Sequence, residues 1–146
     1  MPVRTAEARW QRSLQDGSGT MRLGSGAFEG RYTFASRMEN GTGSNPEELI
    51  GAAEAGCFSM ALANALSEAG HKPQEIRTSA KVHFDKIEKG WTITQIELNT
   101  EGNVPGIDEA TFKRIADDAK KTCPVSRALA ATQINLTATL KSGVTA

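Results

Sequence analysis

Apolar and polar positions change period several times along the chain, and each change predicts an element. Ala6–Leu14 and Thr20–Leu23 are strand-like runs on either side of the turn sequence DGSG, a hairpin signal. Gly24–Gly30 is a second glycine-rich turn and Arg31–Ala35 a further short strand. The polar segment SRMENGTGS, Ser36–Ser44, reads as a connection.

The period then lengthens. Asn45 is a good helix N-cap, Pro46 suits the first helical position, and Glu48 falls where a capping box places an acid. Gly70 suits a C-terminal cap, and Pro73 follows it. The predicted helix, Pro46–Ala69, is about 36 Å long at 1.5 Å per residue. From Ala55 to Ser67 it carries no charge on any side. A helix apolar all round is buried on most faces. In so short a chain, this one is expected to pack against a partner chain as well.

Strict alternation returns in Arg77–Ile87, with Val82 and Phe84 on one face and Lys81, His83 and Asp85 on the other. After the turn EKG, Trp91–Thr100 alternates again. Asp108 is placed to cap a second helix through about Lys121, with Phe112, Ile115 and Ala119 at helical spacing. A short third helix starts at Pro124. Gln133–Lys141 is a last strand, with Ile134, Leu136, Ala138 and Leu140 alternating. Strands and helices are segregated, so the predicted class is α+β.

Composition narrows the picture. A chain of 146 residues suits one domain, 1–146. Seventeen basic residues balance seventeen acidic ones, so no electrostatic footprint for nucleic acid or an anionic membrane appears. No apolar run reaches the ~18 residues of a membrane span. The segment MPVRTAEARWQRSL lacks the apolar core of a signal peptide. A cytoplasmic protein is expected.

The candidate chemistry lies in two cysteines, Cys57 and Cys123. In a reducing compartment they are either bystanders or a redox pair. Cys57 lies well inside the long helix, where the helix dipole does not reach and apolar surroundings disfavour a thiolate. If it reacts, a cation must be brought to it. Cys123 precedes Pro124, which favours an N-cap position, so local physics makes it the better-placed thiolate. There is no Cys-x-x-Cys, no zinc ligand set and no nucleotide-binding glycine loop. His71, His83 and the pair Asp117 and Asp118 read as solvated surface groups.

The segments SNPEELIGAAEAGCFSMAL, VPGIDEATF and KTCPVSRAL, in this order and spacing, resemble the OsmC/Ohr family of organic hydroperoxide reductases. The resemblance covers nearly the whole chain. Ser44 stands where Thr is frequent and Gly56 where Ala is frequent; neither change removes a reactive group. The resemblance implies an α+β fold in an intertwined homodimer, with sheets wrapped around two central helices. It implies that Cys57 is the peroxidatic cysteine, Cys123 the resolving cysteine, and Glu47 and Arg37 the active-site acid and cation. The position of Arg37 is similar to that in the osmotically inducible branch; Arg12 and Arg22 are the fallback cations. No cofactor and no metal are implied. An external dithiol, of lipoyl type or a small thiol, would reduce the resulting disulfide.

Glu47 and Cys57 are ten residues apart on one predicted helix, about 15 Å along its axis. Antiparallel helices of two subunits could bring Glu47 of one to Cys57 of the other. A kink near Gly51 is the alternative. Phe58, Met60 and Ala61 would then wall the site and favour an organic tail. Two other readings stay open: a dithiol-disulfide oxidoreductase without a peroxidase step, and a non-catalytic dimer that binds a small apolar ligand.

Overall fold

The first glycine turn closes a hairpin, as the alternation predicts. In the computed structural model, which describes residues 1–141, the chain divides into two units, Met1–Leu49 and Ile50–Ala146. The first holds an antiparallel sheet of β1 (Ala6–Gln11), β2 (Ser18–Leu23) and β3 (Glu29–Tyr32), in that order. Strand β1 stops short of the expected Leu14 because Arg12 takes a left-handed φ of 73°, which ends the extended backbone. Gly19 pairs with both Trp10 and Tyr32. A Cβ there would lie 2.6 Å from the Tyr32 ring and 2.7 Å from the Trp10 ring. Glycine therefore lets the two rings meet across the strand, with centroids 5.2 Å apart.

The expected strand Arg31–Ala35 and the connection after it are corrected. Strand β3 ends at Tyr32, and Phe34–Met38 forms a short helix, α1. Its start is a capping box: the Ser36 N–H donates to Thr33 Oγ1 at 3.1 Å, and the Thr33 N–H donates to Ser36 Oγ at 2.8 Å. The Ser36 hydroxyl also donates to the Ser44 carbonyl at 2.8 Å, tying the following loop down. Arg37 is thus a helix residue with a fixed backbone.

Helix α2 runs over Pro46–Glu68, from the end of the first unit into the second. The Glu48 N–H donates to Asn45 Oδ1 at 2.8 Å, the expected N-cap bond. Gly70, at φ 89°, lets the His71 N–H reach back to the Leu66 carbonyl at 2.9 Å.

The second unit is a sheet of β4 (Glu75–Ile87), β5 (Gly90–Asn103) and β6 (Gln133–Leu140). β4 and β5 form an antiparallel hairpin. β5 and β6 are parallel, so the crossover between them carries α3 (Glu109–Thr122) and α4 (Pro124–Ala128). Thr94 is an extra residue on β5 between the pairs His83–Gln95 and Phe84–Ile93, which makes a bulge.

Phe58, Leu62 and Leu66, four residues apart on α2, are fully buried with Ile96, Leu98, Phe112 and Ala116. Burial of each large side chain is worth about 1.5–3 kcal/mol. Only this stripe of α2 is covered. Met60 is 78% exposed, and a Cβ on Gly56 would meet open space. The expectation that the helix is buried on most faces is therefore not met within one chain. By length and composition alone, α2 is apolar enough to cross a membrane. The expectation that no apolar run reaches that length is corrected: Glu54 breaks the run, but the helix averaged across it is apolar enough.

Candidate active site

Arg37 and Glu47, both in the first unit, form an ion pair. Arg37 Nη2 donates to Glu47 Oε1 at 2.8 Å, and Nε donates to Oε1 and Oε2 at 3.1 and 3.3 Å. Helix α1 supplies the arginine and the first turn of α2 the acid. The forked contact fixes the plane of the guanidinium. The Glu47 side chain is 9% exposed and the Arg37 side chain 36%, so the acid is sunk and the cation still reaches the surface. Arg37 also lines a cavity of about 210 Å³ with Trp10, Leu14, Tyr32, Phe34 and Met38. This is an apolar pocket with a cation in its wall.

Cys57 and Cys123, both in the second unit, are free thiols. The Cys123 thiol donates to Cys57 Sγ at a separation of 2.8 Å, across 66 positions of sequence. Cys123 is fully buried in the core, and Cys57 is partly buried against it. Cys123 ends α3 and begins α4, but its side chain makes no cap hydrogen bond. The N-cap position expected from Pro124 is thus observed, with the thiol not used as the cap acceptor. The thiol turns toward Cys57, and the first turn of α4 serves Cys57 as well, through the Val125 backbone N–H directed at its sulfur.

Burial pushes the Cys57 thiol above its ordinary range. The hydrogen bond with Cys123 and the nearby charge of Glu54 push the same way, and the Val125 N–H opposes them. Within its own unit, Cys57 is held toward the neutral thiol. The sequence expectation that it needs an imported cation follows from the same physics.

The other sequence candidates fall elsewhere. Arg22 pairs with Glu7 on the exposed face of the β1–β2 hairpin, and this acid raises the Arg22 pKa further. Arg12 sits exposed in the hairpin turn. His83 pairs with Glu97 across β4 and β5, and its hydrogen bond holds the Glu97 carboxyl below the usual range. Phe58 is a core residue and not a pocket wall. Among the described residues, no group of three or more His, Cys, Asp or Glu side chains is placed to hold a metal ion.

Sequence reasoning missed Glu54. It is fully buried one turn before Cys57, and its Oε1 accepts a hydrogen bond from the Ser126 hydroxyl. A signal was present, since Glu54 is the lone acid between Glu48 and Glu68 in an otherwise apolar helix. The aromatic residues around Arg37 were also missed, because Trp10 and Tyr32 meet only through strand pairing.

The family model for OsmC-like proteins matches residues 39–139. The chain is 48% identical over 137 residues to peroxiredoxin OsmC of Escherichia coli K12, covering 93% of this chain and 95% of that one. It is 36% identical over 89 residues to the organic hydroperoxide resistance protein of Xanthomonas axonopodis pv. citri, covering 60% of this chain and 61% of that one. Its fold is similar to the crystal structure of an organic hydroperoxide resistance protein from Elizabethkingia anophelis, with a TM-score of 0.74, 24% identity, and coverage of 96% and 99% of the two chains. The chain belongs to the OsmC-like family of peroxidase-type redox proteins.

Proposed function

We propose that the protein is a thiol-dependent peroxidase that reduces organic hydroperoxides to alcohols. The observation that carries this reading is the 2.8 Å approach of Cys123 Sγ to Cys57 Sγ. Two cysteines so far apart in sequence meet at a spacing from which a disulfide can close.

The Cys57 thiolate attacks the terminal peroxide oxygen. The O–O bond breaks, the sulfur becomes a sulfenic acid, and the departing alkoxide takes a proton to become the alcohol. Cys123 then attacks the Cys57 sulfur, the S–O bond breaks, and the hydroxyl leaves as water. An external dithiol, of lipoyl type or a small thiol, reduces the disulfide by exchange.

Because its surroundings hold Cys57 toward the neutral thiol, the thiolate needs a cation. Arg37, oriented by Glu47, is that cation in this reading, and it also stabilises charge on the leaving oxygen. Glu47 and Cys57 lie ten residues apart on one helix, so the pair is supplied by a second copy packed on the exposed face of α2. A homodimer with composite sites follows. The apolar cavity beside Arg37 takes the organic tail of the substrate. A thiol pair recycled by a dithiol fits a reducing compartment, the cytoplasm.

The test is consumption of an alkyl hydroperoxide with a dithiol present. Loss of consumption in Cys57→Ser supports the reading, and survival of activity in that variant sinks it. Disulfide turnover without peroxide consumption would instead mark a dithiol oxidoreductase. Tight binding of an apolar ligand by an inactive parent would mark a binding protein.

A further inference from the structure

Glu54 is a carboxyl group placed where the fold has no evident need for one. It is fully buried on α2, one helical turn before Cys57 and Phe58, and is hydrogen-bonded to the segment that follows Cys123. Removing a carboxyl from water is costly unless hydrogen bonds replace the water. Here one oxygen, Oε1, accepts from Ser126 Oγ, while Oε2 has no hydrogen-bond partner among the described residues. An apolar residue would pack at this position without that cost.

What the costly choice provides is a link between two segments. Glu54 lies three residues before Cys57, on the same side of the helix. Ser126, itself buried, lies three residues after Cys123 in the first turn of α4. The Arg127 N–H donates to the Cys123 carbonyl at 3.0 Å, so this turn is rigidly joined to the cysteine backbone. The one hydrogen bond therefore fastens the short helix that carries Cys123 to the long helix that carries Cys57.

We propose that Glu54 is a positioning residue for disulfide closure: through Ser126 it holds the start of α4 against α2 and so keeps Cys123 over Cys57. The proposal rests on the reading of the two cysteines as a redox pair. It assigns Glu54 no part in the attack on peroxide.

Closure can be followed without peroxide. Reduced protein is mixed with a dithiobis-nitrobenzoate reagent. Cys57 attacks the reagent disulfide, forming a mixed disulfide and releasing one coloured nitrothiolate. Cys123, as thiolate, then attacks the Cys57 sulfur, forming the internal disulfide and releasing a second. Displacement of reacting atoms by about an ångström can cost up to ~100-fold in rate. In Ser126→Ala and Glu54→Ala the second release is therefore expected to slow at least about tenfold, while the first stays within about threefold. Glu54→Gln keeps an oxygen acceptor for Ser126, and its second release is expected within about threefold of the parent.

A second release at the parental rate in Ser126→Ala overturns the proposal. So does a Glu54→Gln variant as slow as Glu54→Ala, which would make charge and not the hydrogen bond the relevant property. Equal slowing of both releases in Ser126→Ala overturns it too, since that marks general loosening. The peroxidase reading fails on a different observation, peroxide consumption surviving Cys57→Ser, which leaves the two releases of the parent unchanged.

Discussion

The sulfur of Cys123, in the joint between α3 and α4, lies 2.8 Å from that of Cys57, in the middle of α2. In the proposed reaction the two thiols have separable roles. Cys57→Ser is expected to abolish hydroperoxide consumption. Cys123→Ser is expected to complete one fast reduction and then accumulate sulfenic and sulfinic acid on Cys57, since nothing condenses with the first oxidation product. Mass spectrometry of intact protein after a single peroxide addition distinguishes the two.

Arg37→Ala is expected to lower kcat/KM for an alkyl hydroperoxide by roughly 10²–10³, the usual cost of removing a group that stabilises developing charge. The pH profile gives the sign. The surroundings raise the Cys57 pKa, so without the cation the thiolate fraction at neutral pH falls. The rise of activity, and of alkylation by iodoacetamide, then moves to higher pH. An unchanged profile in Arg37→Ala would count against the assignment.

Met60, exposed at the middle of an apolar helix face, tests the assembly. Met60→Arg is expected to yield a folded monomer with little peroxidase activity, because the charge would have to be desolvated in a helix–helix contact. Sedimentation velocity reads the mass, and circular dichroism the fold. A fully active Met60→Arg dimer would contradict a packed interface at this face.

Phe112 lies fully buried between α3 and the sheet, with Gly102 directly beneath its ring. Phe112→Ala is expected to cost about 3–5 kcal/mol. Denaturant titration of the reduced protein checks it. Because Gly102 has no side chain to fill the space, relaxation around the cavity is limited, which places the expectation at the upper end of that range.

Asp108 caps α3, accepting from the Thr111 hydroxyl at 2.7 Å and the Thr111 N–H at 3.0 Å. These bonds, the hydroxyl first, hold its carboxyl below the usual aspartate range. A lowered folded-state pKa stabilises the fold above the free-aspartate value of about 3.9 and loses that contribution as pH falls through the folded value. Asp108→Ala is expected to lower the melting temperature at neutral pH and to flatten its decline on the acid side, as thermal melts over a pH series would show.

Much of the fold was legible in local chemistry. Asn45, Gly70, Asp108 and Pro124 each set a helix end through their own backbone preference or side-chain bond. Alternation alone places β4, β5 and β6. The short helix α1 escaped because five residues cannot show a helical period; its signal was Thr33 and Ser36, three apart. The N-cap position of Cys123 was legible in Pro124, whereas what its thiol touches depends on the crossover from β5 to β6. The meeting of Arg37 with Glu47 has no signature in spacing and enters through family resemblance, and Glu54, the lone acid bordering the uncharged run of α2, gains its meaning only once the fold brings Ser126 to it.

The 66 positions between Cys57 and Cys123 also have a thermodynamic meaning. A cross-link closing a loop of that length removes unfolded-state entropy worth roughly 4 kcal/mol. With the disulfide closed, the fold is held more firmly than with both thiols free. Each catalytic cycle would alternate between a tighter and a looser protein. An oxidised population starved of reductant would be the longer-lived one under heat or proteolysis, so the melting curve itself becomes a gauge of its redox state.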